Sequence, residues 1–181
     1  IKEPFTRERT AFHQDMTYFN LAGSQICVMW IPVDRVTKNS GGMLYVRGSH
    51  LWGKEFKPNL FVSQLAFPGA TGQDLPDIEG HLEDYDIVSF EVEPGDVIVH
   101  HVLTVHGSGG NLSANTRRAA SLRYCGETVR YQQRPGTAPQ PHHRHALRDG
   151  DVLDCAQFPV VWPPARATGQ RVPARVGAPA E

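Results

Sequence analysis

Glycine occurs 17 times and proline 14 times along this 181-residue chain. Helix-breaking and turn-forming positions therefore recur too often for long helices, and short strands joined by turns suit the pattern. A mainly β architecture follows. Residues 25–34, QICVMWIPVD, form a nearly continuous apolar run with β-branched and aromatic members, which predicts a buried strand. The TKNSGG cluster at 37–42 signals a turn, and MLYVRGSH at 43–50 resumes extended character. The two runs are predicted to pair as a hairpin. Residues 53–85 contain Pro58, Pro68, Gly69, Gly72, Pro76 and Gly80 and read as a long excursion that covers part of the domain. From residue 86, DIVSFEVEPGDVIVHHVLTVH alternates around a turn at Glu93-Pro94-Gly95-Asp96, and RRAASLRYCGE at 117–127 is a further strand. No internal repeat and no amphipathic helix of any length is visible.

The length supports one hydrophobic core and excludes two large domains. Lys plus Arg number 18 against 19 for Asp plus Glu, a net charge of -1, so no global field draws the chain to nucleic acid or an anionic membrane. No run approaches the roughly 20 apolar residues that span a bilayer. Cys27, Cys125 and Cys155 are odd in number and form no C-x-x-C pair, which indicates a reducing, cytoplasmic setting rather than a disulfide framework. The chain opens IKEPFTRERT, with no apolar targeting segment, and begins as though something preceded it. Residues 163–181, PPARATGQRVPARVGAPAE, have almost nothing to bury and are predicted to be a loosely ordered tail.

The sharpest chemical feature is His13-Gln14-Asp15. In an extended stretch residues i and i+2 share a face, so the imidazole and the carboxylate can converge on one ion. An H-x-D triplet also occurs in surface loops, and a metal site needs a third ligand from elsewhere. The segment His100-His101-Val102-Leu103-Thr104-Val105-His106 offers three histidines. Read as one strand, it places His100 and His106 on one face and His101 on the other. His106 has the better context, because Gly107-Ser108-Gly109-Gly110-Asn111 then reverses the chain towards Arg117-Arg118. A guanidinium on the next strand, roughly 5 Å across, offers a bidentate fork to the far carboxylate of a short dicarboxylate whose other end chelates the metal. Two histidines and one carboxylate on one face leave three positions open in an octahedral shell, as in non-haem Fe(II) oxygenases. A structural zinc site would close its shell with a fourth protein ligand, and none stands at suitable spacing.

These residues, with Trp30-Ile31-Pro32-Val33-Asp34, Asn39-Ser40-Gly41-Gly42, Val46-Arg47-Gly48-Ser49-His50, Pro94-Gly95-Asp96 and Asn111, Ser113 and Arg117, resemble the phytanoyl-CoA dioxygenase family of Fe(II)/2-oxoglutarate oxygenases. Order and spacing match from about residue 3 to about residue 127. The resemblance implies a double-stranded β-helix, the jelly-roll or cupin-like core, with His13, Asp15 and His106 binding Fe(II). It also implies that Arg117, helped by Ser108, holds the side-chain carboxylate of 2-oxoglutarate, and that Gln14 and Trp30 line the cofactor pocket. Arg117 is preferred to Arg118 because the family places this arginine eleven residues after the distal histidine, as here, and alternation turns Arg118 away. Residues 1–162 are then the oxygenase domain. Family members carry a substantial region before the H-x-D motif, with helices and first strands, so the domain is read as N-terminally incomplete, with an open edge.

The implied activity is hydroxylation of an unactivated C–H of a small organic molecule, with O2 as co-substrate and succinate and CO2 as products. Related halogenases replace the aspartate by a small residue, so Asp15 points to hydroxylation. Two other readings are a cupin-like metal-dependent isomerase or hydrolase, and a non-catalytic binding module on the same scaffold. Neither nucleic acid nor membrane is an expected partner. His142-His143-Arg144-His145 reads as a solvated loop rather than a metal tract, and Arg130, Arg134, Arg144 and Arg148 as a solvated face rather than contacts to an acidic substrate. His50 and His100 read as core or supporting histidines, Trp52 and Phe56 as packing residues, and Cys27 as a small buried hydrophobe.

Overall fold

The computed structural model describes residues 1–137, 140 and 144–162. The tail at 163–181, and His142 and His143 of the histidine tract, lie outside the described residues. Nine short strands form three sheets among the described residues: β1 (Thr10–His13), β2 (Leu21–Ala22), β3 (Ile26–Pro32), β4 (Met43–Val46), β5 (Ile87–Ser89), β6 (Ile98–His101), β7 (His106–Ser108), β8 (Ala119–Cys125) and β9 (Arg130–Tyr131). One sheet has the order β1-β7-β4-β5, a second β6-β3-β8, and β2 pairs with β9. The strand pairings within these three sheets are antiparallel. The two larger sheets face each other across the core: the His100 ring on β6 lies 4.7 Å from His106 on β7 and 5.1 Å from Tyr45 on β4. The fold is a mainly β, double-stranded β-helix core. Its helical elements are short 3-10 turns, and among the described residues no helix is long and apolar enough to cross a membrane.

The 25–34 run forms β3 as predicted, though its burial alternates, with Ile26, Val28, Trp30 and Pro32 inward and the residues between them half-buried. It does not form a hairpin with 43–50. β3 sits between β6 and β8, while β4 sits between β7 and β5, and the TKNSGG turn carries the chain from one sheet to the other. A capping box between Thr37 and Ser40 and a left-handed Gly41 (φ 78) shape that crossover. The 100–106 segment likewise is not one strand. β6 ends at His101, residues 102–105 turn, and β7 begins in the opposite sheet. At both of these places the chain passes between sheets instead of pairing with its sequence neighbour.

The 53–85 excursion lies over the four-stranded sheet. Phe56 and Ile78 are buried with Phe12, Val46 and Val105, and Trp52 packs at the margin of that cluster. Burying each such side chain contributes about 1.5–3 kcal/mol, and this anchors a segment whose backbone pairing is limited to the isolated bridges Phe56↔Gln73 and Asn59↔Ala66. A second cluster gathers Met16, Leu21, Ile26, Val102 and Val129. A third, of Trp30, Val36, Met43, Tyr45 and Val92, lies between the two large sheets. β8 is the edge of its sheet, and its residues from Ala120 to Cys125 are exposed.

Candidate metal centre and dicarboxylate pocket

His13 ends β1 and pairs directly with His106, the first residue of β7. Each ring is held by the same local device. Nδ1 of His13 lies 2.8 Å from the carbonyl of Ala11, and Nδ1 of His106 lies 2.9 Å from that of Thr104. A carbonyl only accepts, so the ring proton sits on Nδ1 and the Nε2 lone pair is left for an ion. The strand pairing needs Gly107: a Cβ there would come within 2.9 Å of the Thr10 carbonyl oxygen and 3.2 Å of the Phe12 ring.

Asp15 reaches the two rings by a different route from simple alternation. β1 ends at His13, and Asp15 adopts a helical conformation (φ -74, ψ -29) that starts a 3-10 turn. Its N–H donates to the Val102 carbonyl in the β6–β7 turn. Oδ1 then lies 3.4 Å from Nε2 of His13 and 3.8 Å from Nε2 of His106. One ligand atom from each residue falls within 4.8 Å of the others, and all three residues are buried, so the cluster could hold a metal ion. Burial pushes the Asp15 pKa up, but its contacts with His13 and His106 and the Arg123 guanidinium outweigh it and hold the carboxyl far below its ordinary value. Burial, then the neighbouring His13, depress His106 to about 3, so its ring is neutral and free to ligate.

Asp15 has a partner that sequence reasoning missed. Arg123 on β8 donates from Nη2 at 2.7 Å and from Nε at 3.2 Å to Oδ2, the oxygen turned away from the histidines. The two carboxylate oxygens are thus divided between the cluster and a guanidinium. A signal existed: Arg123 is six residues after Arg117, and the strand alternation that separates Arg117 from Arg118 puts Arg117 and Arg123 on one face. Across the sheet Arg123 and His100 flank Val28, so one row on this sheet faces the row His13, His106, Tyr45 and Val88 on the other. His100 is half-buried beside His106, while His50 is exposed rather than in the core.

The second group of predicted residues gathers one row away. Arg117 is 6% exposed, stands 5.4 Å over the Trp30 ring and donates from Nη2 to the Gly41 carbonyl at 3.1 Å. Its Nε is buried without a partner, as is the hydroxyl of Ser108. Burial lowers the Arg117 pKa. A buried guanidinium and hydroxyl with nothing acidic to bind among the described residues are costly on their own and fit an incoming carboxylate. Arg118 faces outward and forms an exposed bidentate pair with Asp34, at 2.9 and 2.7 Å.

Gln14 is not brought into this pocket. Its amide donates to the carbonyls of Lys54 and Leu103 and accepts from the Phe56 N–H. All its polar capacity but one lone pair is spent on backbone, and it ties the excursion to the β6–β7 turn. The excursion also approaches the cluster directly, with the Phe61 ring 5.1 Å from His13. Asn59 donates to the Phe12 carbonyl and receives the Tyr18 hydroxyl.

A double-stranded β-helix with two imidazoles and one carboxylate converging from its inner face defines the cupin-like class of metal-centred β proteins. The model of the phytanoyl-CoA dioxygenase (PhyH) family matches residues 1–119, and the chain belongs to that family. A Caenorhabditis elegans protein described as a probable phytanoyl-CoA dioxygenase is 30% identical over 138 residues, which cover 73% of this chain and 41% of that protein. The solved structure of SnoK, a non-haem alpha ketoglutarate dependent carbocyclase from nogalamycin biosynthesis, is similar with a TM-score of 0.67 and 29% identity, over 87% of this chain and 58% of SnoK. The epimerase SnoN in complex with Fe3+ and alpha ketoglutarate is similar with a TM-score of 0.58 and 26% identity, over 83% of this chain and 56% of SnoN. The chain spans between 33% and 43% of the length of the curated relatives it matches.

Proposed function

We propose that this chain carries the catalytic centre of an Fe(II)- and 2-oxoglutarate-dependent dioxygenase that hydroxylates a small organic molecule and releases succinate and CO2. The observation that carries this reading is the pairing of an open three-ligand cluster with a buried guanidinium that has no acid partner among the described residues. His13, Asp15 and His106 hold the metal from one side, and Arg117 with Ser108 holds the far carboxylate of 2-oxoglutarate. Trp30 forms the floor under Arg117. The charges agree: the metal with Asp15 keeps net positive charge for the 2-oxo acid head group, and Arg117 balances the tail. When bound, iron and 2-oxoglutarate supply O2 activation coupled to oxidative decarboxylation. The protein's part is to orient the substrate and keep water from the reacting centre, which the Phe61 and Tyr18 rings beside His13 serve.

A cupin-type isomerase or hydrolase has no use for a dicarboxylate clamp, so the orphaned Arg117 and Ser108 speak for the oxygenase. SnoN is an epimerase, which shows that this scaffold supports more than one outcome of related chemistry. Hydroxylation is our assignment for this chain because Asp15 keeps the carboxylate in the ligand set. The free Cys27, Cys125 and Cys155 suit a cytoplasmic site of action.

Anaerobic addition of Fe(II) and 2-oxoglutarate should give the weak visible absorption of a chelated 2-oxo acid. Its absence in folded, metal-loaded protein would overturn the assignment. Asp15→Ala should abolish both that absorption and substrate-coupled succinate formation; an unchanged rate removes Asp15 from the ligand set.

A further inference from the structure

Tyr45 lies at the junction of the two groups of site residues. On β4 it pairs with His106, its ring stacks on the His106 ring at 5.8 Å and 27°, and Met43, two residues earlier, pairs with Ser108. The ring packs in one cluster with Trp30 and Met43, with Ile98 and Ala119 against it, and Trp30 is the residue beneath Arg117. Tyr45 is 4% exposed, and its hydroxyl is buried with no hydrogen-bond partner among the described residues. Phenylalanine would pack in this cluster equally well, so the hydroxyl does nothing for the fold and carries a desolvation cost.

Three side chains of the chamber between the sheets therefore hold an unused polar atom: Ser108 Oγ, Arg117 Nε and Tyr45 Oη. All three can donate, and one bound molecule rich in acceptors would satisfy them together. A 2-oxo dicarboxylate is such a molecule, with five oxygens that only accept.

We propose that the Tyr45 hydroxyl is a third hydrogen-bond donor to the bound 2-oxo acid, beside Arg117 and Ser108, a role that rests on the 2-oxoglutarate reading above. It makes Tyr45 a cofactor-binding residue of this chain, reached from β4 and not from the strands that carry the metal ligands and the arginine.

The test is Tyr45→Phe in the full chain. Anaerobic titration of the Fe(II)-loaded protein with 2-oxoglutarate, followed by its visible absorption, should show affinity weakened about tenfold or more, the loss expected for one hydrogen bond to an anionic group. Fe(II) affinity should be unchanged. The thermal midpoint without cofactor should be equal or higher, since a costly orphaned hydroxyl is gone, while the rise produced by 2-oxoglutarate shrinks. An affinity for 2-oxoglutarate within twofold of wild type overturns the proposal, as does a lowered cofactor-free midpoint with 2-oxoglutarate binding intact. If the wild-type protein itself gives no absorption, the 2-oxoglutarate reading fails and Tyr45 falls with it; if wild type and variant bind alike, Tyr45 falls alone.

Discussion

Asp15 divides its two oxygens between two tasks. Oδ1 faces the histidines, and Oδ2 is taken by Arg123. A carboxylate so held would offer a single oxygen to an ion at the cluster, leaving its other oxygen with Arg123. Arg123 acts through Asp15 and is a positioning residue. Arg123→Met should weaken Fe(II) affinity by about 10–100-fold, the usual effect of removing a partner of a metal ligand. Arg123→Lys should recover part of it. Metal titration monitored by the absorption of a Co(II) substitute checks this, and an unchanged affinity would show that Asp15 needs no such support. Gln14 shows the opposite case. It stands between two proposed ligands, yet its amide serves the backbone of Lys54, Phe56 and Leu103. Adjacency in an H-x-D motif says that Gln14 lies beside the site, but not which side of the chain it faces.

Strand β8 has its own fastening. Arg117 precedes it and exchanges backbone hydrogen bonds with Lys2, and Arg118 is clamped from outside by Asp34 at the end of β3. Asp34 accepts from the Arg118 N–H as well as from its side chain, so it fixes the backbone on which Arg117 is carried. The Arg118 guanidinium holds the Asp34 carboxyl at about 2. The sign follows from that depression. In the unfolded chain Asp34 titrates near about 3.9, so its contribution to stability is complete above that value and is lost as pH falls through about 2. Asp34→Asn should therefore lower the thermal midpoint at pH 7, with the gap from wild type closing as the solution is acidified towards pH 2. Because the pair is exposed, the effect should be small and should fade in high salt. A gap that stays constant across this range would show that the carboxylate charge is not what holds β8.

The whole molecule is two facing sheets with the excursion laid over one of them. Ile78 is fully buried and joins Phe56 to Phe12, Val46 and Val105, residues in or beside the strands that carry His13 and His106. Ile78→Ala should cost about 2–5 kcal/mol in denaturant unfolding, because a buried branched side chain leaves a cavity that a close-packed core fills poorly. The same variant should make residues 53–85 more open to proteolysis and, through Phe61 and Gln14, weaken the site. A loss below about 0.5 kcal/mol would show that the excursion is anchored elsewhere.

Several features were legible in the residues alone. The turn-rich composition set the β class, the spacing of His13, Asp15 and His106 picked out the cluster, and strand alternation separated Arg117 from Arg118. The separation of Arg117 from Arg118 rests on the period of an extended backbone, which decides which side chains share a face, whereas Asp15 reaches the cluster through a 3-10 turn and not by alternation. What the chain could not reveal by itself was which strands pair and which sheets face. The 25–34 and 43–50 runs are joined by a turn that looks like a hairpin, yet the chain crosses to the opposite sheet there. His100 and His106 meet across the sandwich, although they do not lie on one strand. Arg123, 108 residues from Asp15, and the unpartnered hydroxyl of Tyr45 became visible only in three dimensions. Local periodicity decides where a side chain points; long-range burial decides what it meets there.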